Sequence, residues 1–432
     1  MSPNDSITMR THTDRSTTSV AVGRSWIVVD ATGVCRLGRF MGFFRELIDS
    51  CRSSARSAYF GEVRRQLRAM RAEELACQTD PADGGPEHDP RVEIAPGITS
   101  SAYLATSKRR FGTSNPERMR NPIWEWMVRT GNTPFAARRS LGLDSYYRCP
   151  GKPEWCFDRM GAARVEMPDG RVITIAGEHE DFYDPDFCIY NDVVVQKGDA
   201  VEIYGYPRSV FPPTDFHTAT LVGNDIFIVG SLGYHDERGG SRTPVFRLDA
   251  RSYHIERAET TGESPGWIHK HRARHLPDAG VIEITGGERV LDRGADERFR
   301  DNVDDYHLNV RDGVWKRVTD HSDWRQFSLE YADDERAWGD LGWWTGEVLR
   351  QLGYPCELYE ANDEDEEDEE DLCDRTHVIV VDGVRVLCSD RHREIRVTIQ
   401  GRLEQSKIDE LLSKLKALAG EMHRVVTKIE EL

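Results

Sequence analysis

The chain has 432 residues, a net charge of −18 at pH 7, and a composition that is 38% hydrophobic and 31% charged. This length allows two or three domains with sizeable cores. The acidic balance argues against general nucleic-acid binding, which needs clustered positive charge. No run of about 18 apolar residues occurs, so the sequence predicts no transmembrane helix and no membrane partner.

The N-terminal segment 1–22 is polar, rich in Ser and Thr, and without the apolar core of a secretory signal. We expect it to be a disordered lead. Nine cysteines occur at irregular spacing with no Cys-x-x-Cys pair, which argues against a zinc ribbon and a disulfide framework. The sequence therefore predicts reduced thiols and a cytoplasmic protein.

Residues 23–150 are predicted to be mostly helical, after a short strand at Trp26–Val29. Apolar residues at helical spacing indicate amphipathic helices over Phe44–Cys51 and Glu62–Cys77. The second helix has a basic face, which we expect to be exposed to solvent. The alternative is that this face binds an acidic surface. Pro, Gly and acidic residues indicate a linker within 78–97.

A further helix is predicted to begin at Pro122, with Asn121 as its N-cap. Trp124 and Met127 fall on one face, so we expect this helix to pack against the strands that follow. The alternative is that Trp124 and Trp126 anchor a binding partner.

One pattern occurs three times within residues 161–319. Its anchors are short β-branched runs that end in glycine, and these glycines are 53 and 56 residues apart. A tight turn and another short run precede each anchor, which predicts a hairpin. The anchors are Ile173–Gly177, Ile226–Gly230 and Ile282–Gly286.

A long charged loop follows each anchoring glycine and leads to a third and a fourth strand. We expect the third strands at 189–195, 245–249 and 305–310, and the fourth at Ile203, Ile255 and Trp315. Four antiparallel strands in about 50 residues form one blade of a β-propeller.

The third repeat resembles a kelch repeat in its Gly286-Gly287 pair, its Tyr306–Asn309 strand and Trp315. The middle repeat has Gly230-Ser231 instead of a double glycine, and the first has Gly177-Glu178. The resemblance implies three kelch-like blades of the kind found in galactose oxidase; the alternative is a generic antiparallel sheet. The copper ligands of galactose oxidase have no counterpart that we can align here, so we expect no oxidase activity and no cofactor.

The meander geometry predicts a shared face for the long loops, because the connections between strands 2 and 3, and between strand 4 and the next strand 1, emerge at the same end. We align the starts of the first strands at Gly161, His217 and His271. His and carboxylate side chains near the axis are plausible ligands for a divalent ion, although ordinary polar residues at blade edges explain them more simply, and we predict no metal. The candidate binding residues are Glu178, His179, His217, Ser231, His271 and Glu288.

Residues 325–432 are predicted to form a small α+β domain. Asp363–Asp371 is an uninterrupted acidic run, which predicts a disordered loop over 361–374 whose deletion leaves the melting temperature nearly unchanged. The expected elements are a helix at 333–352, a hairpin at 376–388 turning at Asp382-Gly383, a strand at 394–399 and a long helix from Glu404 to Leu432.

No nucleotide-binding, phosphate-binding or nucleophile-elbow motif is present in the sequence. The main hypothesis is therefore a non-catalytic scaffold, a mainly β protein that binds an unknown protein partner through its long-loop face. The rival hypothesis is a propeller enzyme that acts on a sugar or another small molecule at the blade axis, with a divalent metal as one option. A third is a structural component without a soluble ligand.

Three blades leave two sheet edges exposed, which attracts further pairing. The flanking domains of the same chain are one way to cover these edges. A two-fold homodimer with six blades is the other, and the long terminal helix would add to its interface. The apolar stripe of this helix slightly favours the dimer.

Overall fold

A computed structural model describes most of the chain. The described residues are 10–14, 17–22, 25–30, 94–143, 153–181, 184–291, 298–331, 349, 353–354, 356–358, 376–391, 394–421 and 425–432. They divide into two compact units, Met1–Glu93 and Ile94–Leu432. Strands dominate, in several antiparallel sheets.

In the first unit, three antiparallel strands form a sheet in the order β1-β2-β3. They are β1 (Arg10–Asp14), β2 (Thr17–Val22) and β3 (Ser25–Asp30). The strand predicted at Trp26–Val29 is present as β3, whereas β1 and β2 lie in the lead for which we expected disorder. Thr and Val dominate β2, and their β-branched side chains favour an extended backbone despite the polar composition. The helices predicted at 44–51 and 62–77 lie outside the described residues.

The second unit begins with three short helices and a two-residue strand, β4. They are α1 (Ser100–Thr106), β4 (Glu117–Arg118), α2 (Pro122–Thr130) and α3 (Pro134–Ser140). As predicted, α2 starts at Pro122, and Asn121 Oδ1 accepts hydrogen bonds from the N–H groups of residues 123 and 124 at 3.0 and 3.3 Å. Trp124 stacks on Trp155, with 5.0 Å between the ring centroids. Both rings are buried, and so is Trp126, so both tryptophans of this helix are part of the core.

Three four-stranded antiparallel meanders follow, which we call meanders 1, 2 and 3. Meander 1 and its loop hairpin contain β5 (Ala163–Glu166), β6 (Val172–Ile175), β7 (Glu178–Asp181), β8 (Asp184–Ile189), β9 (Val193–Lys197) and β10 (Ala200–Gly205). Meander 2 contains β11 (Thr218–Val222), β12 (Asp225–Val229), β13 (Val245–Asp249) and β14 (Ile255–Arg257). Meander 3 and its connections contain β15 (Thr261–Gly262), β16 (Ile268–His269), β17 (Arg272–Leu276), β18 (Val281–Thr285), β19 (Glu288–Val290), β20 (Phe299–Asp301), β21 (Tyr306–Asn309) and β22 (Val314–Arg317).

The sheet orders show the repeat that the sequence predicts. They are β4-β10-β9-β6-β5 for meander 1, β11-β12-β13-β14 for meander 2 and β15-β22-β21-β18-β17 for meander 3. The long loops carry additional strands that we did not predict: β7 pairs with β8, and β19 lies between β16 and β20. Ile189, expected in a third strand, belongs to β8 instead, and that third strand starts at Val193.

The anchor strand β12 is buried on both faces, because its side chains alternate between two cores. Ile226 and Ile228 belong to the apolar cluster shared with meander 1. Phe227 and Val229 belong to the cluster shared with meander 3. This explains the unbroken apolar run of the middle repeat, since a strand covered on both faces needs no polar alternation.

The three meanders are joined at the starts of their first strands. Gly161, Phe216 and Lys270 precede these strands with φ of 60, 47 and 52°. The N–H of Phe216 donates to the oxygen of Gly161 at 2.8 Å, and that of Lys270 to the oxygen of Phe216 at 2.9 Å. Our alignment of Gly161 with His217 and His271 was therefore wrong by one residue. Ala162 occupies the equivalent position in meander 1.

The C-terminal part contains a six-stranded sheet and a long helix. It contains β23 (Arg325–Tyr331), β24 (Cys356–Leu358), β25 (Thr376–Val381), β26 (Val384–Arg391), β27 (Glu394–Gln400), α4 (Gln405–Glu421) and β28 (Val426–Glu431), in the sheet order β24-β25-β26-β27-β23-β28. The predicted hairpin is present, and Asp382 and Gly383 have φ of 47 and 83°, as a type I′ turn requires.

The prediction of one helix from Glu404 to Leu432 was wrong. The helix ends at Glu421, and Val426–Glu431 forms β28, which pairs antiparallel with β23. Val425, Val426 and Thr427 are β-branched, and the open edge of β23 outweighs the helical spacing of the apolar residues. The apolar stripe of α4 belongs to the core cluster of the C-terminal sheet, so this stripe is buried within the chain.

The predicted acidic loop 361–374 lies outside the described residues, and so does the predicted helix 333–352 apart from Leu349. No helix in the described part of the chain is both long enough and apolar enough to cross a membrane.

Candidate functional site

Connections of neighbouring meanders contact each other at one end of the array, as the meander geometry predicts. The N–H of Leu232 donates to the oxygen of Asp215 at 3.1 Å, and the N–H of Ser231 donates to the oxygen of Ile268 at 2.9 Å. Trp267 Nε1 donates to the oxygen of Leu232 at 3.1 Å. We call this surface the long-loop face; it comprises the described residues of 178–189, 207–216, 231–243, 260–270 and 288–303.

An aromatic cluster fixes the loops of meanders 1 and 2 to each other. The hydroxyl of Tyr234 accepts a hydrogen bond from the N–H of Ile189 at 2.9 Å. The ring of Phe187 meets that of Tyr234 edge to face at 6.0 Å, and the Arg208 guanidinium lies 5.7 Å from the centre of the same ring. Phe187 is 38% exposed. The cluster therefore presents an apolar ring to solvent from a supported position.

A pair of carboxylates lies beneath this surface. Asp215 is fully buried, and its Oδ1 accepts hydrogen bonds from the N–H of Gly233 at 2.6 Å and from Ser231 Oγ at 3.4 Å. Burial raises the pKa of the Asp215 carboxyl group. The hydrogen bonds that it forms with the N–H of Gly233 and with Glu178 act in the opposite direction and lower this pKa. Asp215 is thus desolvated beside the half-buried Glu178, and desolvation favours the protonated form of Asp215.

Three buried histidines form a second polar cluster: His217, His269 and His271. His271 Nε2 lies 2.9 Å from Thr218 Oγ1. Both ring nitrogens of His217 and of His269, and Nδ1 of His271, have no hydrogen-bond partner among the described residues. Burial is the main cause that lowers the pKa of each imidazole to about 3, so all three are neutral at pH 7.

Two glycines, Gly230 and Gly287, pack directly against His271. A Cβ on Gly287 would lie 2.6 Å from His271 Cβ, and one on Gly230 would lie 2.6 Å from His271 Cε1. Gly230 and Gly287 also have φ of 77 and 81°, a conformation that side chains disfavour. Both glycines are therefore required for the imidazole to fit between the two meanders.

The six residues predicted for binding are divided among several places. Glu178 and Ser231 border the buried carboxylate of Asp215, and His217 and His271 belong to the histidine cluster. His179 Nδ1 instead lies 2.9 Å from the oxygen of Asp158, in the segment before meander 1. Sequence reasoning missed Asp215, which no motif marks. His269 stands two residues before His271, and this alternation in the sequence was a signal for it.

Glu288 is occupied by the C-terminal sheet. Its carboxylate pairs with Arg391 at 2.9 Å and with Arg396 at 3.6 Å. Both arginines also pair with Asp301, whose backbone exchanges two 3.0 Å hydrogen bonds with the side chain of Gln326. The part of the long-loop face over meander 3 is therefore partly covered, and meanders 1 and 2 provide its more accessible half.

In the described part of the chain, no group of three His, Cys, Asp or Glu side chains is arranged to hold a metal ion. Cys156, Cys188 and Cys388 are buried free thiols. Burial raises the pKa of the Cys156 thiol to about 12, which keeps it protonated and unreactive at neutral pH.

No family model and no curated protein matches the chain. Among solved structures it is similar to YjhT, a kelch-like β-propeller protein, at 10% sequence identity and a TM-score of 0.26. The similarity covers 56% of this chain and 65% of YjhT, just under two thirds of that protein. The description of the architecture therefore rests on the antiparallel sheets of this chain itself.

Proposed function

We propose that the chain is a kelch-like, non-catalytic interaction protein of the cytoplasm, which binds a protein partner through meanders 1 and 2 of its long-loop face. The observation that carries the proposal is the cluster of Phe187, Tyr234 and Arg208. Aromatic and arginine side chains dominate the binding energy of protein interfaces. Here Phe187 and Arg208 are exposed beside the half-buried Tyr234, on loops that are hydrogen-bonded to each other.

Two backbone features support the kelch-like interpretation of the meanders. Gly286 and Gly287 follow β18 with φ of 59 and 81°, and Ala176 and Gly177 follow β6 with φ of 52 and 90°. The double glycine by which the third repeat resembles a kelch repeat thus consists of two successive residues with positive φ. The first repeat has the same backbone conformation, although its first residue is alanine. Trp315 of the fourth strand is buried between meanders 2 and 3.

The supported loops favour binding for an entropic reason. Ordering a loop or a side chain at an interface costs free energy, and a surface that is already fixed avoids most of that cost. Arg208 is held by its ion pair with Glu237, and Tyr234 by its hydrogen bond to the backbone of β8. Phe187 therefore offers exposed apolar area in a defined position.

The test compares two substitutions that remove similar exposed apolar side chains. Phe187→Ala changes the proposed surface, whereas Val314→Ala removes a 41% exposed side chain from the last strand of meander 3. We expect Phe187→Ala to weaken partner capture about tenfold or more, as at an interface hot spot, and Val314→Ala to leave it unchanged. Equal capture by the two full-length variants would refute the proposal.

A second candidate function is catalysis on a sugar or another small molecule at the blade axis. The observation that favours it is the buried Asp215, whose pKa is raised and which forms a hydrogen bond with Glu178, since a carboxyl group with a shifted pKa beside a second one can perform general acid and base catalysis. Turnover of a panel of sugars by the full chain is the test. Catalysis requires that Asp215→Asn abolish turnover and that Asp225→Asn, at the opposite end of meander 2, retain it.

A further inference from the structure

A pocket of about 280 Å³ lies between the β19–β20 hairpin and the segment that follows β22. It borders the part of the long-loop face over meander 3, and three of its nine lining residues are arginines. The lining residues are Arg289, Arg300, Asp301, Asn302, Val303, Asp304, Arg317, His321 and Ser322.

Two of these arginines oppose each other directly. Arg289 of β19 is the cross-strand partner of Arg300 of β20, and both side chains are half-buried. Like charges in directly opposed positions of an antiparallel pair destabilise it. Burial lowers the pKa of Arg300, and the charge of Arg289 lowers it further. The fold thus brings two positive charges together without an evident structural benefit.

The carboxylates of the pocket are engaged elsewhere. Asp301 pairs with two arginines of the C-terminal sheet. Asp304 accepts hydrogen bonds from Thr319 at 3.2 Å and from the N–H of His321 at 2.9 Å. Among the described residues, no carboxylate forms an ion pair with Arg289 or Arg300, and the buried Nε of Arg289 has no hydrogen-bond partner. Neither guanidinium group therefore has an ion-pair partner in the described chain, and the charges of Asp304, Asp301 and Glu431 only partly offset the lowering of the pKa of Arg300.

We propose that this pocket binds a small oxyanion between Arg289 and Arg300. Guanidinium groups match the geometry of phosphate, sulphate and carboxylate oxygens, and they bind these groups through paired, charge-assisted hydrogen bonds. The opposite wall is closed by Arg317, which pairs with Glu263, Asp304 and Asp320, and by His321, whose Nδ1 lies 3.1 Å from Asp304 Oδ1. The site is separate from the aromatic cluster of the proposed interaction surface, so either proposal can fail without the other.

The first experiment is calorimetric titration of the full chain with inorganic phosphate, against potassium chloride at equal ionic strength. Parallel titrations with sulphate and malonate distinguish the ligand class. Binding of phosphate and sulphate alone identifies a tetrahedral oxyanion site, and binding of all three identifies a general one that includes carboxylates. Heats that do not exceed those of chloride for any of the three would overturn the proposal.

The second experiment assigns binding to the arginine pair. We expect Arg300→Gln to weaken phosphate binding about tenfold or more, because it removes charge-assisted hydrogen bonds. Without phosphate, its melting temperature should equal or exceed that of the wild type, since the repulsion from Arg289 is removed. The control Arg274→Gln changes an exposed arginine of β17 by the same charge and should retain the wild-type affinity.

If Arg300→Gln disturbs the fold, a conservative variant still tests whether the arginine pair binds the anion. Arg300→Lys retains the charge but not the planar fork, and we expect an affinity between those of the wild type and Arg300→Gln. Wild-type affinity in both Arg300 variants, or an equal loss in Arg274→Gln, would place the bound anion elsewhere and overturn the proposal.

Discussion

At the scale of single residues, the histidine cluster depends on glycines in the neighbouring strands. His271 lies between Gly230 and Gly287, and neither position has space for a Cβ. At each of these glycines, a side chain would be disfavoured twice: by the left-handed backbone conformation and by the close contact with the imidazole. The cost of a side chain there should therefore exceed the cost of the backbone conformation alone.

Gly287→Ala and Gly280→Ala separate these two effects. Both glycines have left-handed φ, of 81 and 66°, but a Cβ at Gly280 would meet nothing within 4 Å. We expect Gly280→Ala to destabilise the fold by about 1 kcal/mol and Gly287→Ala by about 1–3 kcal/mol more, because overpacking adds to backbone strain. Urea denaturation measures both values, and equal losses would refute the role of the close contact.

The histidine cluster should make stability dependent on pH. The pKa of His217 is lowered from 6.5 to about 3 in the folded protein, so between these values the unfolded chain binds more protons and stability falls as the pH falls. Asp215, whose pKa is raised, acts in the opposite direction. We expect His217→Gln to reduce the slope of unfolding free energy between pH 6 and 4 by up to about 1.4 kcal/mol per pH unit. An unchanged slope in urea denaturation would show that His217 takes up its proton without unfolding.

The sequence predicted some of these residues and missed others for physical reasons. His217 and His271 were found by counting from the repeated anchors to the starts of the first strands, and a single sequence displays these anchors. Asp215 could not be found in this way, because its burial depends on hydrogen bonds from Gly233 and Ser231 of another loop. Glu288 was placed on an open face because the ion pairs that cover it come from a sheet about 100 residues later in the chain.

At the scale of elements, local repetition was predicted more reliably than long-range pairing. The meander strands alternate between cores within about 50 residues, so their pattern is complete within each repeat. The strand β28 instead depends on β23, about 100 residues earlier, and its sequence also satisfies helical spacing. Only the pairing partner decides between the two structures, and a single sequence does not identify that partner.

Removal of residues 425–432 tests the role of β28. Val426 is buried, and five residue pairs join this strand to β23. We expect the truncated chain to melt at least about 5 °C lower, a shift that corresponds to roughly 2 kcal/mol. The control Ile429→Thr changes a 40% exposed position to another β-branched residue and should have little effect. A truncated chain as stable as the wild type would show that the strand adds nothing to the sheet.

At the scale of the second unit, both ends of the meander array are covered by the same chain. On one side β4 pairs with β10, and Arg129 of α2 donates to the oxygen of Asp199 at 3.0 Å. On the other side, the C-terminal sheet is bound to the β19–β20 hairpin through Arg391 and Arg396. These contacts leave fewer open sheet edges in the array. Open edges were the reason to expect the six-bladed dimer, which the sequence slightly favoured.

We therefore expect a monomer in solution. Light scattering at micromolar concentration should give a mass near 49.3 kDa. A mass near twice that value would show that the covered ends do not prevent association and would favour the two-fold ring.

The interaction surface itself is tested most directly by site-specific photo-crosslinking in the native cell. A photoreactive phenylalanine analogue is placed either at Phe187, on the long-loop face, or at the exposed Asn224, in the turn at the opposite end of meander 2. We predict a crosslinked adduct of defined mass from position 187 and none from position 224. Adducts from position 224 alone, or from both positions equally, would show that a partner does not bind through the long-loop face.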